Sequence, residues 1–521
     1  MRNITLLNLE VRASPEPLVP TVRFARGISK EDLRPRVAIL TLGCKVNYSE
    51  TEALAENFQQ AGYLLVDPEG PETADVFIVN TCTVTHVAGR KSRQMLRRTK
   101  RDNPQALVVA TGCHVYTSRA EVEEIGEVDL VVGKADEERM VEIVSERLQY
   151  ELPYRPKPSS LLFAGGLGLE QSDEFKGGST NYRTRAMVKI QDGCNAGCAF
   201  CIVPAARGGP RSITMAEVIE GVRRKAEAGY QEVILTGVHL GKYRAPDTER
   251  PVRLRTLLER VLTEVTIPRL RITSLEPQDY DPALLELWQQ HKSLGRHFHL
   301  ALQAGCDTTL ARMRRGYNTE KFARIVAQIR RELPDASITT DIIVGFPGET
   351  EAEFATTLAF AEEMAFAKIH VFPFSPRKGT LAASMTDHVA EGTKKERGEQ
   401  MRQLSDVLSG RWRSRFIGEI RSVLWEQPLP PVGEISNLDL KISNLDLKIS
   451  NLDLKISNLD LEIPNLNLKI PNLNLWGGLT DNYLRVYAPA EENLHNHITL
   501  VRLLKLVGQG DAEGMYGEIF S

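Results

Sequence analysis

Between residues 36 and 110, short apolar runs at 37–42, 76–80 and 106–110 alternate with segments of helical spacing such as 49–61 and the basic run 90–101. Apolar runs of this length bounded by polar turns predict strands buried on both faces, and strands alternating with helices predict a parallel sheet. The rhythm resumes after residue 181. Strands are predicted at 184–190, 232–235, 270–272, 297–302, 337–340 and 368–374, with a helix at 215–229 among the connections. Six strand–helix units predict a (β/α) barrel, open rather than closed, whose working loops follow the carboxyl ends of its strands. Beyond a charged helix that begins at 393, residues 421–426, 483–488, 499–507 and 517–520 read as strands of a separate β region.

Three stretches break the pattern. Residues 1–35 carry several prolines without periodicity and read as a loose extension or a mis-set start. Residues 151–180, with Pro153, Pro156 and Pro158 and then Gly165, Gly166 and Gly168, read as a linker. Residues 435–476 are six tandem heptapeptides, from Ile-Ser-Asn-Leu-Asp-Leu-Lys to Ile-Pro-Asn-Leu-Asn-Leu-Trp. A seven-residue apolar repeat invites a coiled coil, but Asn in every unit, with Ser and Asp in the first four, is a poor helix former, and Pro464 and Pro471 end a helix. The repeat is expected to be a disordered or weakly β-stacked insertion without a catalytic role. The expected domains are 36–150, 181–415 and 416–521, with the insertion inside the last.

Composition narrows the function. The 521 residues include 65 basic and 68 acidic side chains, a net charge of −3, so any nucleic-acid contact is local rather than a uniform basic coat. The run Arg90-Lys-Ser-Arg-Gln-Met-Leu-Arg-Arg-Thr-Lys-Arg101 is such a patch, either a solvated face or a phosphate contact. No apolar run approaches a bilayer span and residues 1–11 lack the features of a signal peptide, so a cytoplasmic protein without membrane contact is expected. Six of the seven cysteines form two triplets, which suits metal-bound thiolates in a reducing compartment.

Cys194, Cys198 and Cys201 stand four and three residues apart on a loop containing Gly193 and Gly197. Three thiols so spaced suit structural zinc or an iron–sulfur cube. Zinc usually completes four ligands locally, and no neighbouring Cys or His offers the fourth. A four-iron cube on three thiolates keeps one iron open to bind a small molecule. Cys44, Cys82 and Cys113 each follow the end of a predicted strand, so one sheet edge can gather all three. They read as buried core thiols or as a second three-thiolate site. Cys306 belongs to neither triplet and reads as a packed thiol.

The CxxxCxxC spacing, with Phe200 before the last cysteine, resembles the radical S-adenosylmethionine (SAM) enzymes. The motifs Leu42-Gly-Cys44-Lys-Val-Asn47, Asn80-Thr-Cys82-Thr-Val84 and Thr111-Gly-Cys113 resemble the amino-terminal domain of the methylthiotransferases, a subfamily of those enzymes. The resemblance implies an α/β protein: a parallel-sheet first domain, a partial (β/α) barrel and a small TRAM-like carboxyl-terminal β-barrel that grips RNA. It implies two 4Fe-4S clusters, one on Cys194, Cys198 and Cys201 that cleaves SAM to a radical, the other auxiliary, on Cys44, Cys82 and Cys113. Gly237 would approach the methionine amino group, Ser274, Glu276 and Gln303 the ribose and methionine, and Gly345 to Gly348 the adenine. Leu-Gly-Cys-Lys-Val-Asn with Ile-Gln-Asp-Gly-Cys is similar to the branch that converts N6-threonylcarbamoyladenosine at tRNA position 37 to its 2-methylthio derivative. The implied partners are the tRNA anticodon stem-loop and an electron donor such as flavodoxin or ferredoxin. The alternatives are methylthiolation of isopentenyladenosine-37 or of a ribosomal-protein aspartate, and, as a non-enzyme, a zinc-stabilised RNA-binding protein.

Overall fold

The computed structural model describes residues 34–70, 72–150, 184–246, 252–429, 474–508 and 513–520. The expected linker at 151–180, nearly all of the amino-terminal extension and residues 435–473 of the repeat lie outside them.

In the first domain β1 (Arg36–Thr41), β2 (Leu64–Leu65), β3 (Val76–Thr81), β4 (Leu107–Gly112) and β5 (Leu130–Val131) pair in the order β2-β1-β3-β4-β5, all parallel. The helices are α1 (Lys45–Gln60), α2 (His86–Asp102), α3 (Cys113–Glu123) and α4 (Met140–Leu148). Alternate strand residues face opposite layers. Val37 and Ile78 pack with Leu54, Phe58 and Val144 of α1 and α4, while Ala38 and Val79 pack with Leu96 and Val115 of α2 and α3. Helix α1 begins earlier than the apolar spacing predicts, with Cys44 as its N-cap residue.

The second domain contains β6 (Ala186–Asp192), β7 (Arg211–Ser212), β8 (Glu232–Gly237), β9 (Arg269–Ile272), β10 (His297–His299), β11 (Ser337–Val344) and β12 (Lys368–Pro373). Its helices are α5 (Val203–Arg207), α6 (Met215–Glu227), α7 (Leu254–Glu264), α8 (Leu285–Gln290), α9 (Asp307–Arg312), α10 (Thr319–Glu332), α11 (Glu351–Met364) and α12 (Glu391–Ser414). The sheets β7-β6-β8-β9 and β10-β11-β12 are linked by parallel bridges such as Leu275 to Leu300, and β6 and β12 do not pair among the described residues. This is the open barrel. Ile190, Val233, Leu235, Leu270, Ile272, Phe298 and Ile342 pack in one buried cluster with the surrounding helices, and the alternating positions Lys189, Glu232, Arg269, Arg271, His297 and Asp341 turn into the lumen.

Helix α1 docks on the β6 side of this barrel. It packs on β6 and β8, Lys189 Nζ of β6 donates to Glu50 Oε1 at 2.9 Å, and Lys45 at its start acts electrostatically on Asp341 of β11 and His370 of β12.

The third domain is a closed barrel of β13 (Ile420–Pro428), β14 (Asn474–Thr480), β15 (Arg485–Ala490), β17 (Gly514–Phe520) and β16 (Ile498–Val507), in that order. Strand β14 was not among the expected strands. The last repeat unit does not end outside the barrel: residues 474–476 begin β14, with Trp476 opposite Pro428 and Ala488. Gly477 and Gly478 hid the strand, yet Gly478 is required there, because a Cβ would sit 2.6 Å from Leu424 O. Arginines anchor this barrel beneath the lumen: Arg269 Nη1 donates to Leu479 O at 3.0 Å and Arg271 Nη2 to Thr480 O at 2.9 Å.

The charged helix, now α12, does not turn all of its charge to solvent. Lys394, Arg397 and Arg413 form part of its inward face and are buried, with Arg397 paired to Glu349 and Arg413 to Glu513. No helix of the described residues is long and apolar enough to cross a membrane.

Candidate cluster sites and the barrel lumen

The first-domain thiols meet where β1, β3 and β4 end. Cys44 caps α1, Cys82 follows β3, and Cys113 opens α3. Asn47 organises them. Its Nδ2 donates to Leu42 O at 2.9 Å and Thr81 O at 3.0 Å, which turns Oδ1 toward Cys44 Sγ at 3.7 Å and Cys113 Sγ at 3.9 Å. Gly43, at φ +115°, lets Cys82 come close, since a Cβ there would sit 2.9 Å from Cys82 Sγ. Burial, reinforced by the neighbouring Glu50, Cys44 and Cys82, pushes Cys113 up to about 12. Burial likewise raises Cys82.

The second triplet lies on the loop after β6. Ala196 N donates to Cys194 Sγ at 3.4 Å, and Arg315 Nη1 donates to Cys198 Sγ at 3.0 Å. The same guanidinium is paired with Glu276. His239 Nε2 meets Asp279 Oδ2 at 2.7 Å and its Nδ1 lies 3.4 Å from Cys194 Sγ. With a proton on Nε2 held by the carboxylate, Nδ1 is left to accept from the Cys194 thiol. Burial pushes Cys201 up to about 12, with Cys198 and Cys194 adding to it. Cys306 stands apart at the start of α9.

Arg207 joins the two. Fully inside at the end of α5, it donates from Nη1 to Glu50 Oε1 and, at 3.0 Å, to Asp192 Oδ1, and from Nη2 to Asn47 Oδ1 at 2.9 Å. Arg207, Arg315 and His239 were not singled out in the sequence. Only His239, just past a predicted strand end, carried a positional signal there.

Comparison with known proteins bears on both halves. Residues 36–133 match the family described as Uncharacterized protein family UPF0004, and residues 188–361 match the Radical SAM superfamily. Threonylcarbamoyladenosine tRNA methylthiotransferase MtaB of Bacillus subtilis is 36% identical over 90% of this chain and 94% of its own. The chain belongs to the radical SAM methylthiotransferase family. MtaB of Thermotoga maritima is 35% identical over 75% of this chain and 86% of its own. The tRNA-2-methylthio-N(6)-dimethylallyladenosine synthase of Methylacidiphilum infernorum is 32% identical over 75% and 84%.

For a methylthiotransferase, the radical SAM domain implies SAM and a 4Fe-4S cluster. The residues present fit. Burial raises Cys194 and Cys201, and such thiols become stable ligands once a cationic centre is there to favour the thiolates. The positions that the sequence resemblance assigns to SAM stand at or just past the carboxyl ends of β8, β9, β10 and β11. Gly237 ends β8 and lies against Gln191, whose Oε1 accepts from His239 N at 2.7 Å. Ser274 is half-buried after β9. Glu276 is the partner of Arg315, and Gln303, at φ +70°, is buried where β10 leaves the sheet. Gly345 N donates to Glu349 Oε2 at 2.6 Å and Gly348 N to Asp387 O at 2.7 Å. The segment that includes Asp387 also meets the cluster loop, through Ala382 N to Ala199 O at 2.8 Å.

Proposed function

We propose that this protein converts N6-threonylcarbamoyladenosine at position 37 of tRNA to its 2-methylthio derivative, using two 4Fe-4S clusters. What carries the reading is the pair of trithiol sites joined by one buried arginine, in a chain 36% identical over 90% of its length to a relative that bears that activity in its name. The carbon to be thiolated, C2 of an adenine, has neither an acidic hydrogen nor a leaving group, so acid–base and nucleophilic catalysis have no hold on it.

Cys194, Cys198 and Cys201 would hold one cluster, and Cys44, Cys82 and Cys113 the other. When bound, the first supplies reductive cleavage of SAM at its open iron, and the second supplies a site for sulfur. Around them Arg315 offsets the negative charge at Cys198, His239 is fixed by Asp279, and Gly237, Ser274, Glu276, Gln303, Gly345 and Gly348 line the approach for SAM. Arg90 and Arg97 of α2 are exposed, make no ion pair among the described residues, and are offered as contacts for the phosphates of the anticodon stem-loop. The carboxyl-terminal barrel, read as TRAM-like, adds to that grip. A low-potential donor of the flavodoxin or ferredoxin type supplies electrons, and the cytoplasm provides the reducing setting.

Anaerobic reconstitution should give about eight irons per chain, falling to about four when Cys44, Cys82 and Cys113 are replaced by serine. RNA from a deletion strain should lack the 2-methylthio nucleoside. Zinc in place of iron, or unchanged RNA, would overturn the reading.

A further inference from the structure

Lys45 opens α1, one residue from Cys44, and reaches the floor of the lumen. Its Nζ lies 5.9 Å from the centroid of the Tyr483 ring. The guanidinium carbons of Arg271 and Arg185 stand 5.0 and 5.6 Å from the same ring, and His297 stacks on it with centroids 4.3 Å apart. Three cations therefore surround one phenol.

Two of the three are matched. Arg185 pairs with Glu426 at 2.9 Å, and Arg271 with Glu232 at 2.9 Å. Lys45 has no ion-pair partner among the described residues. Asp341, the carboxylate of the lumen wall whose charge Lys45 favours, is taken up by His299 Nε2 at 3.1 Å. The phenol registers the surplus. Burial alone would push Tyr483 up, yet Arg185, Lys45 and Arg271 bring it down to about 8.

A half-buried ammonium without a counter-ion is unfavourable unless a ligand brings the charge. The N6 side chain of threonylcarbamoyladenosine ends in a carboxylate, whereas that of dimethylallyladenosine is hydrocarbon. We propose that Lys45 holds the carboxylate of the substrate's N6 side chain, so that the lumen floor between Lys45, Tyr483 and His370 is the subsite that selects an acidic substituent. The proposal rests on the functional reading above. Because Lys45 adjoins Cys44, an anchor here also fixes the base relative to the first-domain triplet.

The test uses the cluster-loaded protein, with Lys45→Met and Lys45→Arg beside the wild type and with iron content and SAM cleavage as controls. The substrates are anticodon stem-loops carrying threonylcarbamoyladenosine or its neutral carboxamide analogue. The wild type should prefer the acid by about tenfold or more in kcat/KM, the scale of one charge-assisted contact. Lys45→Met should lose that preference by falling on the acid alone, chiefly through KM, and Lys45→Arg should keep most of it. Cofactor-free protein gives a second reading: affinity for the acid stem-loop should fall about tenfold in Lys45→Met, with no change for the carboxamide. Equal losses on both substrates, as damage at Cys44 would produce, or an unchanged preference, overturn the subsite and leave the reaction standing. A wild-type enzyme that cleaves SAM but thiolates neither RNA overturns the functional reading and the subsite with it.

Discussion

Arg207 Nη2 donates to Asn47 Oδ1 at 2.9 Å, the same oxygen that Cys44 and Cys113 approach at 3.7 and 3.9 Å. An arginine from the helix that follows one triplet thereby orders the amide that gathers the other. Its Nη1 is spent on Glu50 and Asp192, both buried.

Replacing Arg207 by alanine leaves those two carboxylates without their guanidinium, with Lys189 as a remaining partner. Breaking a buried pair from one side costs about 3–5 kcal/mol. Urea unfolding of cofactor-free Arg207→Ala should show a loss of that order. Lys should rescue only in part, because an ammonium cannot serve Glu50, Asp192 and Asn47 in one plane.

Acid should loosen the seam between the radical SAM barrel and the carboxyl-terminal barrel. Burial would raise Glu232, but Arg271, Arg185 and Arg269 bring it from 4.5 down to about 2. A carboxylate held lower in the folded protein stabilises fully above its unfolded value and loses that contribution as pH falls through the folded one. Stability should therefore decline between about pH 4.5 and 2. Glu232→Gln should flatten that part of the profile while lowering stability at pH 7, as followed by thermal unfolding across the range.

Thiol labelling should be uneven. In cofactor-free protein at about pH 8, Cys44 is exposed and should be alkylated first. Cys113 and Cys201, both held at about 12, should lag by orders of magnitude. Peptide mass spectrometry over time reads the order, and uniform labelling would contradict the packing around Asn47 and Cys201.

Shortening the repeat should be tolerated up to a sharp limit. Leu429 N donates to Leu475 O at 2.7 Å, so β13 and β14 are already side by side and a short turn can join them. Removing 436–473 should leave turnover intact and change apparent stability by no more than about 2 kcal/mol, the scale of loop closure. Extending the deletion through Trp476 removes the start of β14 and should lower the thermal midpoint. Methylthio-nucleoside yield and thermal unfolding check both.

Much of this was legible in advance. Both cysteine triplets, the parallel sheet and the open barrel follow from strand rhythm and from thiols placed just past strand ends, which are local signals. The side chains that connect them were not local. Arg207 and Asn47 meet only because two domains dock, and Arg315 reaches Cys198 from the loop after α9. Arg269 and Arg271 were not singled out, although charge at every second position of a barrel strand is what a polar lumen requires. Strand β14 was obscured by a repeat whose last unit the barrel had absorbed.

Helix α1 at once starts from Cys44, packs on β6 and, through Lys45, reaches toward Tyr483. Swinging that helix outward would drag Cys44 away from Cys82 and Cys113, so the thiol site and the helix must move as one. The apolar side chains of Val84 and Val87, each 50% exposed and close in sequence to Cys82, stay outside that packing.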